Sequence, residues 1–253
     1  MTIVPQYYSD FRCIADACRH NCCIGWEIDI DPDTYALYNT IDGDFGNRLH
    51  NGIIHGKQPC FCLDSNERCA FLNERGLCDI ILTLGEGALC DICTDHPRFR
   101  TYLGDDLRLG LGLCCEAACR LILDTPVGFV DADTNAAFAV NTAVPLFSDP
   151  RTPAEWAAIY RSLERLDPAW DTYLDRLVAC ETLTQTQDTA RERLTAYFMF
   201  RHANASFAAH AAAVIVTLAK DADELYEIAR LYSAEIEYSD ENLQIILNKT
   251  AEG

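Results

Sequence analysis

The sequence is poor in positive charge and in long apolar runs, and each shortage argues against a class of function. Its 20 lysine and arginine residues stand against 39 aspartate and glutamate residues, which gives a formal net charge of −19. Because contacts to phosphate need clustered lysine and arginine, we expect no nucleic-acid binding and favour a basic partner. Residues 208–219 are the most apolar run. They are short for a membrane span and include His210, which predicts a buried helix and no membrane association.

A secretory leader is the next feature that the sequence lacks. Residues 1–11 show neither the basic n-region nor the apolar h-region of a signal peptide. We therefore expect a cytoplasmic protein, in a compartment that keeps thiols reduced.

Cysteine, by contrast, is abundant. Thirteen of the 14 cysteines lie between Cys13 and Cys119, and Cys180 is the other one. In a secreted miniprotein such thiols would form a disulfide framework, whereas in a reducing compartment metal or iron–sulfur ligation is favoured. A disulfide framework and plain buried thiols are the alternatives.

This uneven distribution predicts a mainly α protein with two regions. Residues 1–125 would form a cysteine-rich region, clamped by a metal ion or an iron–sulfur cluster and containing short β elements. Residues 126–253 would form a helical region that completes the fold.

Four local patterns predict elements in the first region. Residues 24–30, IGWEIDI, alternate apolar and polar side chains as in a half-buried strand, and a short helix is expected after Pro32. Residues 97–113 predict a hairpin that turns at Gly104, and a helical pattern restarts at Cys115.

The second region opens with a connector at residues 124–150 and is otherwise helical. Thr152 has the features of an N-cap and is followed by proline at the first helical position. A further helix is expected after Pro168. Residues 186–220 predict one or two buried helices, and residues 221–250 predict two more.

The clustered cysteines form four groups along the chain. The Cys90-x2-Cys93 spacing lets two thiolates from one turn reach the same ion, although such pairs also serve redox exchange. The neighbours Cys22 and Cys23 point in different directions, so they serve two sites, or one ligates while the other packs. In order, the groups are Cys13, Cys18, Cys22 and Cys23; Cys60, Cys62, Cys69 and Cys78; Cys90 and Cys93; and Cys114, Cys115 and Cys119.

The identity of the metal stays open at this point. Four thiolates complete one tetrahedral zinc site or one 4Fe–4S cluster, and the spacing matches neither a ferredoxin run nor a zinc ribbon. His20 and His96 lie near the cysteines, and we expect them to support ligands or to lie at the surface.

Four sequence blocks resemble the motifs of the flagellin lysine-N-methylase family. They are FRCIADACRHNCCIGWEIDI at residues 11–30, RCAFLNERGLCDIILTLGEGALCDICTDHPR at 68–98, LGLCCEAACRLIL at 111–123 and the aromatic–arginine block AYFMFRH at 196–202. The resemblance extends over roughly residues 7–202.

The resemblance implies methyl transfer from S-adenosylmethionine to the ε-amino groups of surface lysines of flagellin or another lysine-bearing protein. It also implies a cysteine-bound iron–sulfur cluster (4Fe–4S), with zinc as the alternative. The metal ligands that match motif positions are Cys13, Cys18, Cys22, Cys23, Cys69, Cys78, Cys90, Cys93 and Cys115.

The cofactor itself has no motif of its own in the sequence. No strand leads into a G-x-G-x-G turn with a later ribose-binding carboxylate. Cys18-x3-Cys22 begins a radical-type C-x3-C-x2-C pattern, but Gly25 stands at its next position.

Catalytic and cofactor-binding candidates are therefore polar residues in the motif blocks. Each has a structural alternative, because Arg98 would also pair with Glu116 to stabilise the hairpin, and Tyr197 would also suit a core. The catalytic candidates are Glu86, Arg98, Glu116 and Tyr197, and the cofactor-binding candidates are Arg98 and Arg201.

A competing hypothesis is not enzymatic. A zinc- or iron-binding cysteine-rich module for partner binding or redox sensing explains the clustered thiols equally well and needs no substrate pocket.

Overall fold

The computed structural model describes residues 1–184 and 188–252. It confirms a mainly helical protein with a cysteine-rich part, short strands and a helical C-terminal region. The chain divides into two compact units. One is Cys13–His96, and the other combines Met1–Arg12 with the chain from Pro97 onward. The expected boundary between residues 125 and 126 lies within this larger unit.

The elements follow one another in chain order. The strands are β1 (Thr2–Pro5), β2 (Ile53–Ile54), β3 (Cys60–Phe61), β4 (Arg98–Leu103), β5 (Asp106–Leu111) and β6 (Phe129–Asp131). The helices are α1 (Pro32–Tyr38), α2 (Gly43–Asn51), α3 (Asp79–Leu84), α4 (Asp91–Asp95), α5 (Glu116–Asp124), α6 (Pro153–Arg161), α7 (Trp170–Val178), α8 (Thr189–His202), α9 (Ala205–Leu218), α10 (Ala222–Glu237) and α11 (Asp240–Ala251).

A four-stranded sheet in the larger unit has the order β4-β5-β1-β6. The predicted hairpin is confirmed, since β4 and β5 pair antiparallel from Arg98 opposite Leu111 to Leu103 opposite Asp106. β1 pairs parallel with β5 and antiparallel with β6. Neither β1 nor β6 was predicted, and β6 lies inside the segment that was expected to be a connector.

Five helices of the larger unit, α6 and α8 to α11, begin at side-chain caps. Thr152 is the N-cap of α6, as predicted, and it also forms a complete capping box with Glu155. α8 ends at Ala203, which has a left-handed conformation (φ 51°), and Asn204 caps α9. Residues 186–220 therefore contain two helices; residues 186 and 187 lie outside the described part of the chain.

The core of the larger unit is built from its helices. Trp156 of α6, Trp170 of α7 and Phe198 of α8 are completely buried. Residues 208–218 lie on α9, with Ala219 as its C-cap, and this helix is buried along most of its length, as predicted. Within the described residues, no helix is both long and apolar enough to cross a membrane.

In the Cys13–His96 unit, α1 is confirmed but the strand expected at residues 24–30 is wrong. Only isolated bridges occur there, Ile24 with Arg68 and Asp29 with Cys60. Gly25 adopts a positive φ of 92°, so the chain turns instead of continuing as a strand. Residues 28 and 30 are nevertheless buried, which is why the sequence alternates there.

Candidate functional site

Six thiols of the Cys13–His96 unit interact electrostatically with one another. A hydrogen bond with Cys22, and then burial, raise the pKa of Cys23. The thiolate charges of Cys69 and Cys78 raise the pKa of Cys23 further. The same hydrogen bond lowers the pKa of Cys22. The six thiols, called the thiol cluster below, are Cys22, Cys23, Cys69, Cys78, Cys90 and Cys93.

The Cys90-x2-Cys93 pair belongs to the same cluster. A hydrogen bond with Cys90, followed by burial, raises the pKa of Cys93, and this bond lowers the pKa of Cys90. The charges of Cys23 and Cys69 also raise the pKa of Cys93. Three of the four cysteine groups along the sequence therefore contribute to one cluster.

Backbone contacts bring the first of these groups to the second. The Cys69 N–H donates to the carbonyl of Cys23 at 2.9 Å. The Asn21 side chain accepts from the Cys23 N–H at 2.9 Å and donates to the Gly76 carbonyl at 3.2 Å. The segment around Cys23 is thus held against the loop between Cys69 and Cys78.

Two thiols of the cluster stand at the starts of short helices. Cys78 is the N-cap residue of α3 and Cys90 is that of α4. Burial raises the pKa of Cys78, and hydrogen bonds from the N–H groups of Ile80 and Ile81 partly offset this rise. The Cys93 N–H likewise donates to Cys90. N–H groups at helix starts stabilise a thiolate, which is the form that ligates metals.

The thiol cluster fits a thiolate-bound metal ion or iron–sulfur cluster by donor type. Coordination geometry is a separate matter. Within the described ranges, no group of three or more histidine, cysteine, aspartate or glutamate side chains is arranged so that it could hold a metal ion. All 14 cysteines are free thiols.

Three further cysteines match the family motifs and occupy other positions. Cys13 is exposed, and its sulfur accepts a hydrogen bond from the Ala15 N–H at 3.4 Å. The Cys18 thiol donates to the carbonyl of His20 at 3.3 Å. Cys115 belongs to the larger unit, where it is the N-cap residue of α5.

Two cysteines to which the resemblance assigns no metal donate hydrogen bonds to backbone carbonyls. The buried Cys119 thiol donates to the carbonyl of Tyr226 at 3.4 Å. The Cys180 thiol donates to the carbonyl of Arg176 at 3.4 Å, one turn earlier on α7. These two thiols are therefore suitable controls for substitutions in the thiol cluster.

The larger unit contains a second polar cluster, built around the fully buried carboxylate of Glu237. Tyr197 donates to Glu237 Oε2 at 2.9 Å, and Arg201 Nη1 donates to the Tyr197 hydroxyl at 2.9 Å. His202 Nε2 lies 2.6 Å from Glu237 Oε1. The Ser233 hydroxyl donates to Oε2 at 2.6 Å. We call these five residues the Glu237 cluster.

The charge of Glu237 is stabilised by these partners. Burial alone would raise the pKa of Glu237, but the charge of Arg201 and the hydrogen bonds of His202 and Ser233 lower it to about 2. A carboxylate with such a low pKa is a poor general base at neutral pH. Its effect is to fix the side chains around it.

Arg201 connects the Glu237 cluster to an aromatic pair. Its guanidinium carbon lies 4.6 Å from the ring centre of Phe99 and 5.5 Å from that of Tyr238. Tyr238 is 46% exposed and hydrogen-bonds Cys114, whose pKa is raised to about 12 by burial. The guanidinium is thereby held between two rings near the protein surface.

The structure brings two of the sequence-derived candidates, Tyr197 and Arg201, into this cluster and places the others elsewhere. Glu86 is exposed in a short 3-10 turn of the Cys13–His96 unit. Arg98, on β4, has its guanidinium 5.3 Å from the ring of Phe11. Glu116 is buried in the first turn of α5, 4.0 Å from Arg120 Nε.

Each unit contains a small cavity. The Cys13–His96 unit has a cleft of about 180 Å³ beside α2, and the larger unit has a cavity of about 10 Å³ beside Tyr197. Sites for drug-sized ligands and cofactors usually measure about 300–1,000 Å³. Neither cavity is large enough for S-adenosylmethionine.

Comparison with known proteins finds similarity to lysine-N-methylases and to a flagellar biosynthetic protein. The chain is 32% identical over 157 residues to the "Lysine-N-methylase" of Salmonella choleraesuis (strain SC-B67) and to that of Salmonella typhimurium (strain LT2). Each match covers 56% of this chain and 37% of the relative. The "Flagellar biosynthetic protein FliU" of Salmonella muenchen is 31% identical over 135 residues, which are 48% of this chain and 76% of that protein. The chain belongs to the flagellin lysine-N-methylase family.

The family relationship rests on these sequence comparisons. No family model matches the chain, and no solved structure matches it. The chain spans little more than a third of the length of the lysine-N-methylases that it matches.

For this member of the lysine-N-methylase family, Glu237 was not among the predicted site residues, although the sequence contains a pattern that indicates its role. Ser233 and Glu237 lie one turn apart on α10, and both are buried. A serine and a glutamate at i, i+4 on the apolar face of a helix indicate a buried polar contact. His202 belongs to the C-terminal block at residues 196–202 but was likewise not among the predicted site residues.

Proposed function

We propose that the protein is a cytoplasmic protein-lysine N-methyltransferase that uses S-adenosylmethionine and acts on flagellin or another lysine-bearing protein. The observation that carries the proposal is the likeness to the lysine-N-methylases and to FliU. The strongly acidic chain suits a partner that presents lysines, and 14 free thiols suit a reducing compartment.

We further propose that the thiol cluster holds a 4Fe–4S cluster or, alternatively, zinc. Four of its six thiols would supply the ligands, and the amide groups that donate to Cys78 and Cys90 would stabilise the thiolate forms. Such a group would stabilise the loop-rich Cys13–His96 unit, because ligation energy contributes to folding in regions with small cores.

Methyl transfer places defined demands on a site. The lysine nitrogen must be uncharged when its lone pair attacks the methyl carbon. The C–S bond would break as the N–C bond forms, its electron pair would go to sulfur, and the nitrogen would then lose a proton to a base or to water. In this proposal the Glu237 cluster fixes the orientation of Tyr197 and Arg201.

Calorimetry on anaerobically purified, fully metallated protein tests the proposal. We expect binding heat with S-adenosylmethionine and with S-adenosylhomocysteine, and an increase in the mass of flagellin lysines when the first ligand and flagellin are both supplied. Flagellin with chemically acetylated lysines is the matched control. No heat with either ligand rejects the methyltransferase proposal.

A second candidate function is a non-enzymatic zinc- or iron-binding module for partner binding or redox sensing. The observation that favours it is the thiol cluster itself, which such a module explains without a substrate pocket. Metal in the purified protein, together with no heat from either ligand, would support this function.

A further inference from the structure

The cleft of about 180 Å³ in the Cys13–His96 unit has the size of a side-chain pocket. It lies between the end of α1, the start of α2 and β2. A cavity of roughly 150 Å³ accommodates one benzene molecule, and a lysine side chain has fewer heavy atoms than benzene. The polar and aromatic residues that line the cleft are Tyr38, Asn39, Asp42, Asn47, His50 and His55.

The charge in the cleft comes from Asp42. This residue is the N-cap of α2, yet its side chain makes no capping hydrogen bond, whereas Asp31 accepts the backbone N–H of Thr34 at the start of α1. Among the residues that the structure describes, no hydrogen bond or ion pair engages the Asp42 side chain. Its carboxylate is therefore available to a ligand in the cleft.

The aromatic walls are held in place by their own hydrogen bonds. The Tyr38 hydroxyl donates to the carbonyl of Ala88 at 2.7 Å, which fixes the ring. His55 Nε2 donates to the His50 carbonyl at 2.9 Å, because a carbonyl only accepts. In the neutral ring, His55 Nδ1 then accepts from Tyr35 at 2.6 Å. The rings of His50 and His55 lie 4.4 Å apart.

The sign of the charge decides which ligand fits. The N-terminus of α2 contributes about half a positive charge, but Asp42 carries a full negative charge and the first turn also contains Asp44. The whole chain has a net charge of −19. A cation with an alkyl stem, which packs against aromatic rings and pairs with a carboxylate, is the complementary ligand.

We propose that this cleft is a recognition site for a protonated lysine side chain of the protein substrate. The ammonium group pairs with Asp42, and the methylene stem lies against Tyr38 and the histidine pair. Because a neighbouring carboxylate favours the charged amine, a lysine bound here is not the nucleophile. The cleft recognises the lysine-rich surface of the substrate protein, and methyl transfer takes place elsewhere. That the bound lysine belongs to a methylation substrate rests on the proposed function.

A titration of the metal-replete, 253-residue protein with Nα-acetyl-lysine methylamide, followed by amide NMR shifts, tests the site. We expect shifts concentrated in residues 38–55 and none there with the norleucine analogue, which lacks the ammonium group. Asp42→Asn should weaken binding about two- to fivefold, the effect of one exposed ion pair.

Asp44→Asn is the matched control, because it removes the same charge from the same turn but Asp44 does not line the cleft. Unchanged binding by Asp44→Asn with weaker binding by Asp42→Asn supports the site. Equal effects of the two variants, or equal shifts with the norleucine analogue, overturn it. The titration contains no S-adenosylmethionine, so a failure of methyl transfer leaves its outcome unaffected. Methylation without shifts in residues 38–55 overturns the recognition site alone.

Discussion

At the scale of single residues, two kinds of cysteine can be compared: those that interact with other thiols in the thiol cluster, and those, such as Cys119, that pack in the core. Cys90 and Cys93 affect the pKa values of each other, and the pKa of Cys69, which burial raises, is raised further by the charge of Cys90. Cys119, equally buried, donates to a backbone carbonyl in the core of the larger unit. Cys90 and Cys119 are thus similarly buried but have different surroundings, and substituting each of them distinguishes a thiol of the cluster from a thiol of the core.

Replacing Cys90 or Cys93 by alanine should remove bound metal and lower the melting temperature of the protein, because ligation energy contributes to folding of the Cys13–His96 unit. Metal analysis and visible absorption of anaerobically purified protein measure the first effect, and thermal unfolding measures the second. An iron–sulfur protein would be brown and a zinc protein colourless.

The controls for this experiment are Cys119→Ala, which matches the burial of Cys90, and Cys180→Ala, in which a partly exposed thiol is lost. Both should keep the metal content of the unmodified protein. Equal loss of metal in all four variants would show that the assignment of ligands to the thiol cluster is wrong.

At the scale of elements, the junction of α8 and α9 is strained. Ala203 has φ 51° and ψ 31°, a left-handed conformation that costs a residue with a Cβ atom about 1 kcal/mol. The conformation positions Asn204, whose side chain accepts the N–H of Phe207 and starts α9. α8 contains Tyr197 and Arg201, and α9 is the buried apolar helix.

Ala203→Gly should therefore stabilise the protein by roughly 0.5–1 kcal/mol, because glycine adopts this conformation without steric cost. The same substitution at Ala158, an exposed residue inside α6, should destabilise it by a similar amount. Denaturant unfolding measures both changes. If both variants are destabilised, the strain assigned to Ala203 is absent.

At the scale of the whole molecule, stability should depend on pH through a histidine in the core. Burial lowers the pKa of His210 from 6.5 to about 3. Its Nε2 lies 2.8 Å from the Tyr160 hydroxyl. The unfolded chain binds a proton at this imidazole below pH 6.5, whereas the folded chain does so only near pH 3. This contribution to stability is complete above pH 6.5 and is lost as the pH falls.

Between pH 6.5 and 4.5 the unfolding free energy should fall by about 1.4 kcal/mol per pH unit from His210 alone. Glu237, whose pKa is lowered from 4.5 to about 2, adds to the loss only below this window. His210→Phe should flatten the profile by that amount, as measured by denaturant unfolding across the window. An unchanged slope in this variant would show that His210 is not the group responsible.

Much of the architecture could be predicted because its signals are local. The hairpin at residues 97–113 and the N-cap at Thr152 depend on neighbours within a few residues, and both predictions are confirmed. The strand expected at residues 24–30 was wrong because Gly25 permits a turn that alternation does not reveal. β1 and β6 were missed because each is short and is defined by its partner in the sheet.

The sequence by itself determined which residue types are present and how they are spaced: the thiol groups, the helix starts and the acidic charge. Tertiary structure decided which of these residues meet. Cys23 and Cys69 are joined across a long loop by one backbone hydrogen bond, and Tyr197 reaches Glu237 from another helix. Spacing along a chain governs contacts within a turn, whereas contacts between distant segments depend on how the apolar faces of all the elements pack together.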